Sequence, residues 1–293
     1  MCERPQNDCP VRVYVNPDDA EKKQLIGDYH VDEHTLSSAL DPDEQARLEF
    51  EPEHVALILK RPKNYSARDQ FLFKTTSFGM FLFRDKLIIV VAEDVPLFEG
   101  KQFARVNSIN ELCLKLIYRS IFHFIEHLKI INMVSDVLET KINASMENKY
   151  LLNLFTLEKS LVYYLNAINS NSTVIDKLKV NAAKIGLSQE EQEYLEDIII
   201  ENNQCYKQSE IYSTVLAGLM DARVSIVSNN LNVLMKTLNI VVIGIMVPTL
   251  VVSVFSMNVR IPLAGHHYAF WMIMGLAMIS VIGLMLFWRF KKW

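Results

Sequence analysis

The chain has 293 residues, with 30 Lys and Arg against 34 Asp and Glu, a net charge of -4, and half of its residues are hydrophobic. This balance excludes a dedicated nucleic-acid binder, which carries a basic excess. The average hides a split: after residue 236 only Arg260, Arg289, Lys291 and Lys292 are charged, so a body of net charge -8 precedes a nearly uncharged tail.

The first residues are polar and lack the apolar stretch of a signal peptide, so the body is expected to stay in the cytosol. Cys2, Cys9, Cys113 and Cys205 are scattered, with no C-x-x-C pair, which argues for reduced thiols rather than a disulfide framework or a zinc knuckle. Val11–Val15 reads as a strand and residues 32–40 as a short helix before Asp41-Pro42. Residues 54–59, 71–75, 79–83 and 86–91 read as further strands, the last two joined by a hairpin at Arg84-Asp85. Strands with interspersed short helices over residues 1–105 predict one α/β domain.

From Ser108 the pattern changes. No proline occurs between Pro96 and Pro248, and apolar residues recur three and four apart, which predicts long helices over residues 106–236. Breaks are expected near residues 143–145, near 170–172 and at 186–188, where Ser188 and Glu191 spell a capping box for the last helix. That helix is expected to run from Gln189 into the uncharged tail, about 100 Å at about 1.5 Å per residue, with a kink at Pro248. A helix of that length needs partner copies in a bundle.

Residues 237–259 and 268–288 are two uncharged, strongly apolar runs, each about long enough to cross a bilayer. Only residues 260–267 separate them, so the spans form a hairpin with both chain ends on one side. Tyr268, Trp271, Trp288 and Trp293 suit the interfacial belts, and the basic tail 289–293 places both termini in the cytoplasm. In the first span Asn232, Met235, Asn239, Met246, Thr249, Ser253 and Ser256 fall at steps of three, four and seven, which keep them on one helix face. An amide such as Asn239 is costly in hydrocarbon unless it meets a partner or water. Two readings follow: interhelical hydrogen bonding within a bundle, or a water-lined path that one helix encloses only in a homo-oligomer.

Phe255-Ser256-Met257-Asn258-Val259 then closes the first span. Here the chain resembles the CorA family of divalent-cation channels, whose first span ends in Gly-Met-Asn; Met220-Asp221, residues 232–238 and Pro248-Thr249 fit the same pattern. The resemblance implies an α+β membrane protein: an N-terminal cytosolic α/β domain, a long helical stalk and two C-terminal transmembrane helices. It further implies a homopentamer in the inner (plasma) membrane, taking up Mg2+, and also Co2+ and Ni2+, without ATP or an organic cofactor; lipid and divalent cations are its other partners. Ser256, Met257 and Asn258 correspond to the selectivity filter, and Met235 and Leu238 to an apolar constriction beside the pore-lining Asn232, Asn239, Met246, Thr249 and Ser253. A ring of Asn258 carbonyls would hold hydrated Mg2+ without stripping its water, and two charges crossing 100 mV gain about 4.6 kcal/mol. Asp221 lies where the family has a regulatory aspartate that binds intracellular Mg2+, with Glu53 or Glu51 as its expected counterpart.

The chain departs from the family at Ser256, in place of glycine, and in its outer loop, which has no Asp or Glu; His266 and His267 read as solvated loop residues. These departures leave a Zn2+ transporter of the same superfamily, with or without proton coupling, as the alternative. A remoter alternative is a zinc peptidase, because His123-Phe-Ile-Glu126-His127 spells H-x-x-E-H.

Overall fold

The computed structural model describes residues 9–65, 71–144, 148–257 and 267–290 of the chain. It has two compact units, Met1–Met220 and Asp221–Trp293.

The first unit is built on a five-stranded sheet in the order β1-β5-β4-β3-β2, with β1 Val11–Val15, β2 Arg47–Phe50, β3 Val55–Pro62, β4 Thr75–Leu82 and β5 Leu87–Val91. β1 runs parallel to β5 and every other pairing is antiparallel. Two helices, α1 Asp19–Tyr29 and α2 Glu33–Leu40, connect β1 to β2. Side chains alternate across each strand. Ala56, Ile58, Phe81, Ile88 and Val90 pack in one core with Leu25 of α1 and Leu36 and Ala39 of α2. Leu57, Leu59, Met80, Leu87 and Ile89 pack in the other, against the helices that follow.

Those helices are α3 Ile109–Ala144, α4 Asn148–Val180, the one-turn α5 Ala182–Ile185 and the first part of α6 Gln189–Phe255. Leu116, Phe124, Leu157, Tyr164, Ile168, Leu195 and Ile198 belong to the same buried cluster as the second sheet face. The sheet therefore carries helices on both faces, which explains why its central strands read as apolar runs rather than alternations.

The hairpin at Arg84-Asp85 is present: Phe83 N–H donates to the Lys86 carbonyl at 2.9 Å. Gly186 ends α5 at a φ of 84°, a conformation open to glycine. Beyond it Ser188 and Glu191 cap α6 reciprocally, at 2.8 and 3.3 Å.

Three expectations change. Residues 71–75 and 79–83 are not two strands: Thr75–Leu82 is one strand paired with β3 over eight residues, and that ladder overrides the local appearance of a break at Ser77 and Gly79. Residues 170–172 do not interrupt a helix: α4 runs through them, the Ser170 and Asn171 side chains reach the sheet, and Ser172 Oγ accepts from the Asn202 amide of α6 at 2.7 Å. Ser170 Oγ accepts from Ala46 N–H at 2.7 Å, and the Asn171 amide both accepts from Lys60 N–H and donates to Lys60 C=O, each at 2.8 Å. α1 and β2 were not anticipated; α1 buries only Leu25 and so shows little amphipathic signal, although Asp18 and Glu21 form a full capping box. A break is expected near residues 143–145; α3 includes 143 and 144, and residues 145–147 lie outside the described residues.

The second unit holds the rest of α6, from Asp221, and α7 Ala269–Phe290. α6 is 67 residues long and continues through Gly218, Gly244 and Pro248. Both α6 and α7 contain windows apolar enough to cross a membrane.

Candidate functional site

The candidate path is one face of α6. Asn232, Met235, Leu238, Asn239, Met246, Thr249, Ser253 and Ser256 are all exposed. The less exposed positions of the same stretch are Ile240, Gly244, Val247, Pro248, Val251 and Phe255. At about 100° per residue the two sets centre about half a turn apart, so the polar and soft positions form the face opposite the more covered one. α7 has its own less exposed row, with Ile273, Ala277, Ser280, Leu284 and Trp288 at helical spacing.

Two hydroxyl groups on the α6 stripe turn their hydrogens inward. Thr249 Oγ1 donates to the Ile245 carbonyl at 2.7 Å, and Ser256 Oγ to the Ser253 carbonyl at 2.9 Å. Each satisfied hydroxyl keeps acceptor lone pairs. A hydrated cation presents the hydrogens of its water shell, so acceptors are what it needs, and the Asn232 and Asn239 amides add carbonyl oxygens of the same kind. No stripe position from Asn232 to Ser256 carries a charge that would hold a divalent ion fast.

Ser256 and Met257 follow the end of α6 and are exposed. Asn258 and Val259 lie outside the described residues, as do residues 260–266 of the outer loop, and Lys291, Lys292 and Trp293. His267 meets Tyr268 edge-on, with ring centroids 5.3 Å apart.

Asp221 is exposed on α6, eleven residues or about three turns before Asn232, and so on the stripe's face. Glu53 is exposed in the turn between β2 and β3, where Glu51 N–H donates to the His54 carbonyl at 2.9 Å; Glu51 is half-buried. Neither carboxylate belongs to a group of three metal-ligating side chains, and no such group occurs among the described residues.

The H-x-x-E-H spelling is occupied structurally. His127 is 6% exposed, and its Nδ1 lies 2.6 Å from the Tyr164 hydroxyl. Glu126 pairs with Arg119 at 3.0 Å, which takes it away from the role of a base. Burial pushes the His123 and His127 imidazoles down to about 3 and about 4, with their mutual proximity and nearby Arg61 acting in the same direction on His123.

A model of the CorA-like Mg2+ transporter protein family matches residues 13–292. No curated protein matches the chain. Among solved structures, the complete CorA magnesium transporter from Methanocaldococcus jannaschii is similar with a TM-score of 0.85 at 22% identity, over 99% of this chain and 93% of that one. The full-length CmaX protein is similar at 0.72 and 15% identity, over 97% and 88% of the two chains. The cytoplasmic domain of ZntB from Vibrio parahaemolyticus is similar at 0.60 and 13% identity, over 77% and 93%. At these identities the structural likeness is one of fold.

Proposed function

The chain belongs to the CorA-like Mg2+ transporter family, and from that premise we propose that it is a homopentameric channel admitting Mg2+ down the membrane potential. As a member it is a membrane protein of divalent-cation transport and not an enzyme. The observation that carries the finer reading is the one-sided stripe of α6: uncharged acceptors and thioethers on the open face, opposite the more covered one. A single such face encloses nothing, so the reading requires several copies around an axis.

The cytosolic α/β domain occupies residues 1–105 and the stalk residues 106–236. The first span runs over 237–259, the outer loop over 260–267, the second span over 268–288, and the basic tail over 289–293, with both termini in the cytoplasm of an inner-membrane protein. Ser256, Met257 and Asn258 form the mouth, where the Asn258 carbonyls meet the water shell of the ion. Met235 and Leu238 form a constriction that closes by losing its water. Asp221, with Glu53 across a subunit boundary, binds intracellular Mg2+ and holds the closed state, because carboxylates that repel one another are drawn together by a bridging cation. Mg2+ is then both cargo and regulator, and Co2+ and Ni2+ are further cargo.

Uptake into proteoliposomes at an imposed negative-inside potential tests this, comparing Mg2+, Co2+, Ni2+ and Zn2+ at matched pH. Potential-driven Mg2+ entry is expected. Zn2+ entry that follows a pH gradient without Mg2+ flux would overturn it in favour of a proton-coupled zinc transporter, and would make Ser256 and the uncharged outer loop the next objects of mutation.

A further inference from the structure

Where β3 meets α3 one buried cation has no directly paired carboxylate among the described residues. Arg61, near the end of β3, is 7% exposed, and its Nε is a buried donor without an acceptor among the described residues. A guanidinium stays charged at neutral pH, and an uncompensated buried charge is strongly unfavourable. The neighbouring carboxylates are already engaged. Glu126 lies 3.0 Å from Arg119 and Glu99 lies 3.8 Å from it, while Glu93, the acidic group acting on Arg61, is paired with Lys63. Burial and the Arg119 cation together push Arg61 down to about 10, which leaves it protonated under physiological conditions.

A cavity of about 20 Å³ lies against this side chain, lined by Arg61, Arg119, Ser120 and His123 with Phe78 and Leu97 as apolar walls. That is room for one water-sized particle. A water would take one hydrogen bond from Nε and leave the cation without a directly paired anion. A monatomic anion would satisfy both, and a phosphate or a carboxylate would not fit. Ser120 Oγ donates to the Lys60 carbonyl at 2.9 Å, so it closes the cavity rather than supplying a donor.

We propose that this cavity is a binding site for a halide-sized inorganic anion, chloride in the cell, held by Arg61 with Arg119 and the His123 imidazole around it. The ion ties the end of β3 to α3 from inside the soluble unit. The site lies among residues of the first unit and is independent of the ion path on α6.

The full chain in detergent is unfolded thermally at fixed ionic strength in sodium chloride, bromide, phosphate or gluconate. Chloride and bromide are expected to raise the midpoint by at least about 2 °C over gluconate, with phosphate behaving like gluconate. In Arg61→Met, which keeps most of the stem and removes the charge, the halide effect is expected to vanish while the gluconate midpoint does not fall. Equal midpoints in chloride and gluconate, a phosphate effect as large as the halide effect, or a halide effect that survives Arg61→Met would each overturn the proposal. Crystals of the unaltered chain grown in bromide supply a readout that does not depend on the variant folding. An anomalous peak beside Arg61 is expected, and its absence at full bromide concentration would overturn the site.

Discussion

Asn171 stands in for a missing strand. β2 pairs with β3 only as far as Arg47 opposite Ile58, so Lys60, two residues further on, has no strand on that side among the described residues. The Asn171 amide takes both of its free backbone groups, accepting from the N–H and donating to the C=O at 2.8 Å each, and is itself 2% exposed. In Asn171→Ala the Lys60 carbonyl keeps the Ser120 hydroxyl at 2.9 Å, but the N–H loses its acceptor in a site closed to water. A buried orphan costs about 1–3 kcal/mol and the second lost bond about 1 kcal/mol more, giving about 2–4 kcal/mol in all. For a unit of about 200 residues this corresponds to a fall of about 4–16 °C in the unfolding midpoint. Thermal unfolding of the full chain in detergent, followed by circular dichroism, measures it against Lys177→Ala, an exposed position on the same helix. A midpoint within about 1 °C of that control would refute the idea that the amide completes the sheet.

Three other outcomes follow from the same structure. A Cβ at Gly79 would lie 2.6 Å from the Ala39 Cβ, both on regular elements that pack face to face, so Gly79→Ala is expected to cost about 1–3 kcal/mol by denaturant titration, and Ala39→Gly in the same chain to recover part of it. His123 and His127 fall from 6.5 to about 3 and about 4 on folding, so the folded state binds fewer protons than the unfolded chain. Their contribution is therefore full above pH 6.5 and is lost as the pH falls; at pH 5 each costs about 2 kcal/mol, and an unchanged urea midpoint between pH 7.5 and 5 would contradict this. Asp221→Ala is expected to leave Mg2+ flux running at internal Mg2+ concentrations that close the parent; closure at the parent's concentration would remove Asp221 from regulation.

The features legible in the sequence were those written in local chemistry. The Ser188–Glu191 capping box, Gly186, the Arg84-Asp85 turn and the two uncharged runs each act through neighbours a few residues away. The stripe of α6 was legible for the same reason, since its period is that of one helix. The features that escaped depend on contacts distant in sequence. Ser170-Asn171-Ser172 looked like a break because such residues favour turns and caps; their partners in the fold are Ala46, a strand edge 111 residues before Asn171, and Asn202, all distant in sequence. β4 looked like two short strands because the β3 ladder that unites them cannot be read from one segment. Arg61 and Arg119 gave no signal at all, because no spacing rule brings a strand end and a helix interior to one cavity.

The most direct test of the central claim is whether the stripe of α6 faces the moving ion. Thr249→Cys and Ser253→Cys place a thiol on the stripe, and Val251→Cys places one on the opposite face. Each is made in a chain with Cys2→Ser and Cys9→Ser, in which Cys113 and Cys205 are buried, then reconstituted, exposed to a positively charged, water-soluble thiol reagent during potential-driven Mg2+ uptake, and compared with that parent. The reagent is expected to stop flux at Thr249 and Ser253 and to spare it at Val251. Flux blocked from Val251, or undiminished after confirmed modification at both stripe positions, would contradict the assignment of this face to the ion path.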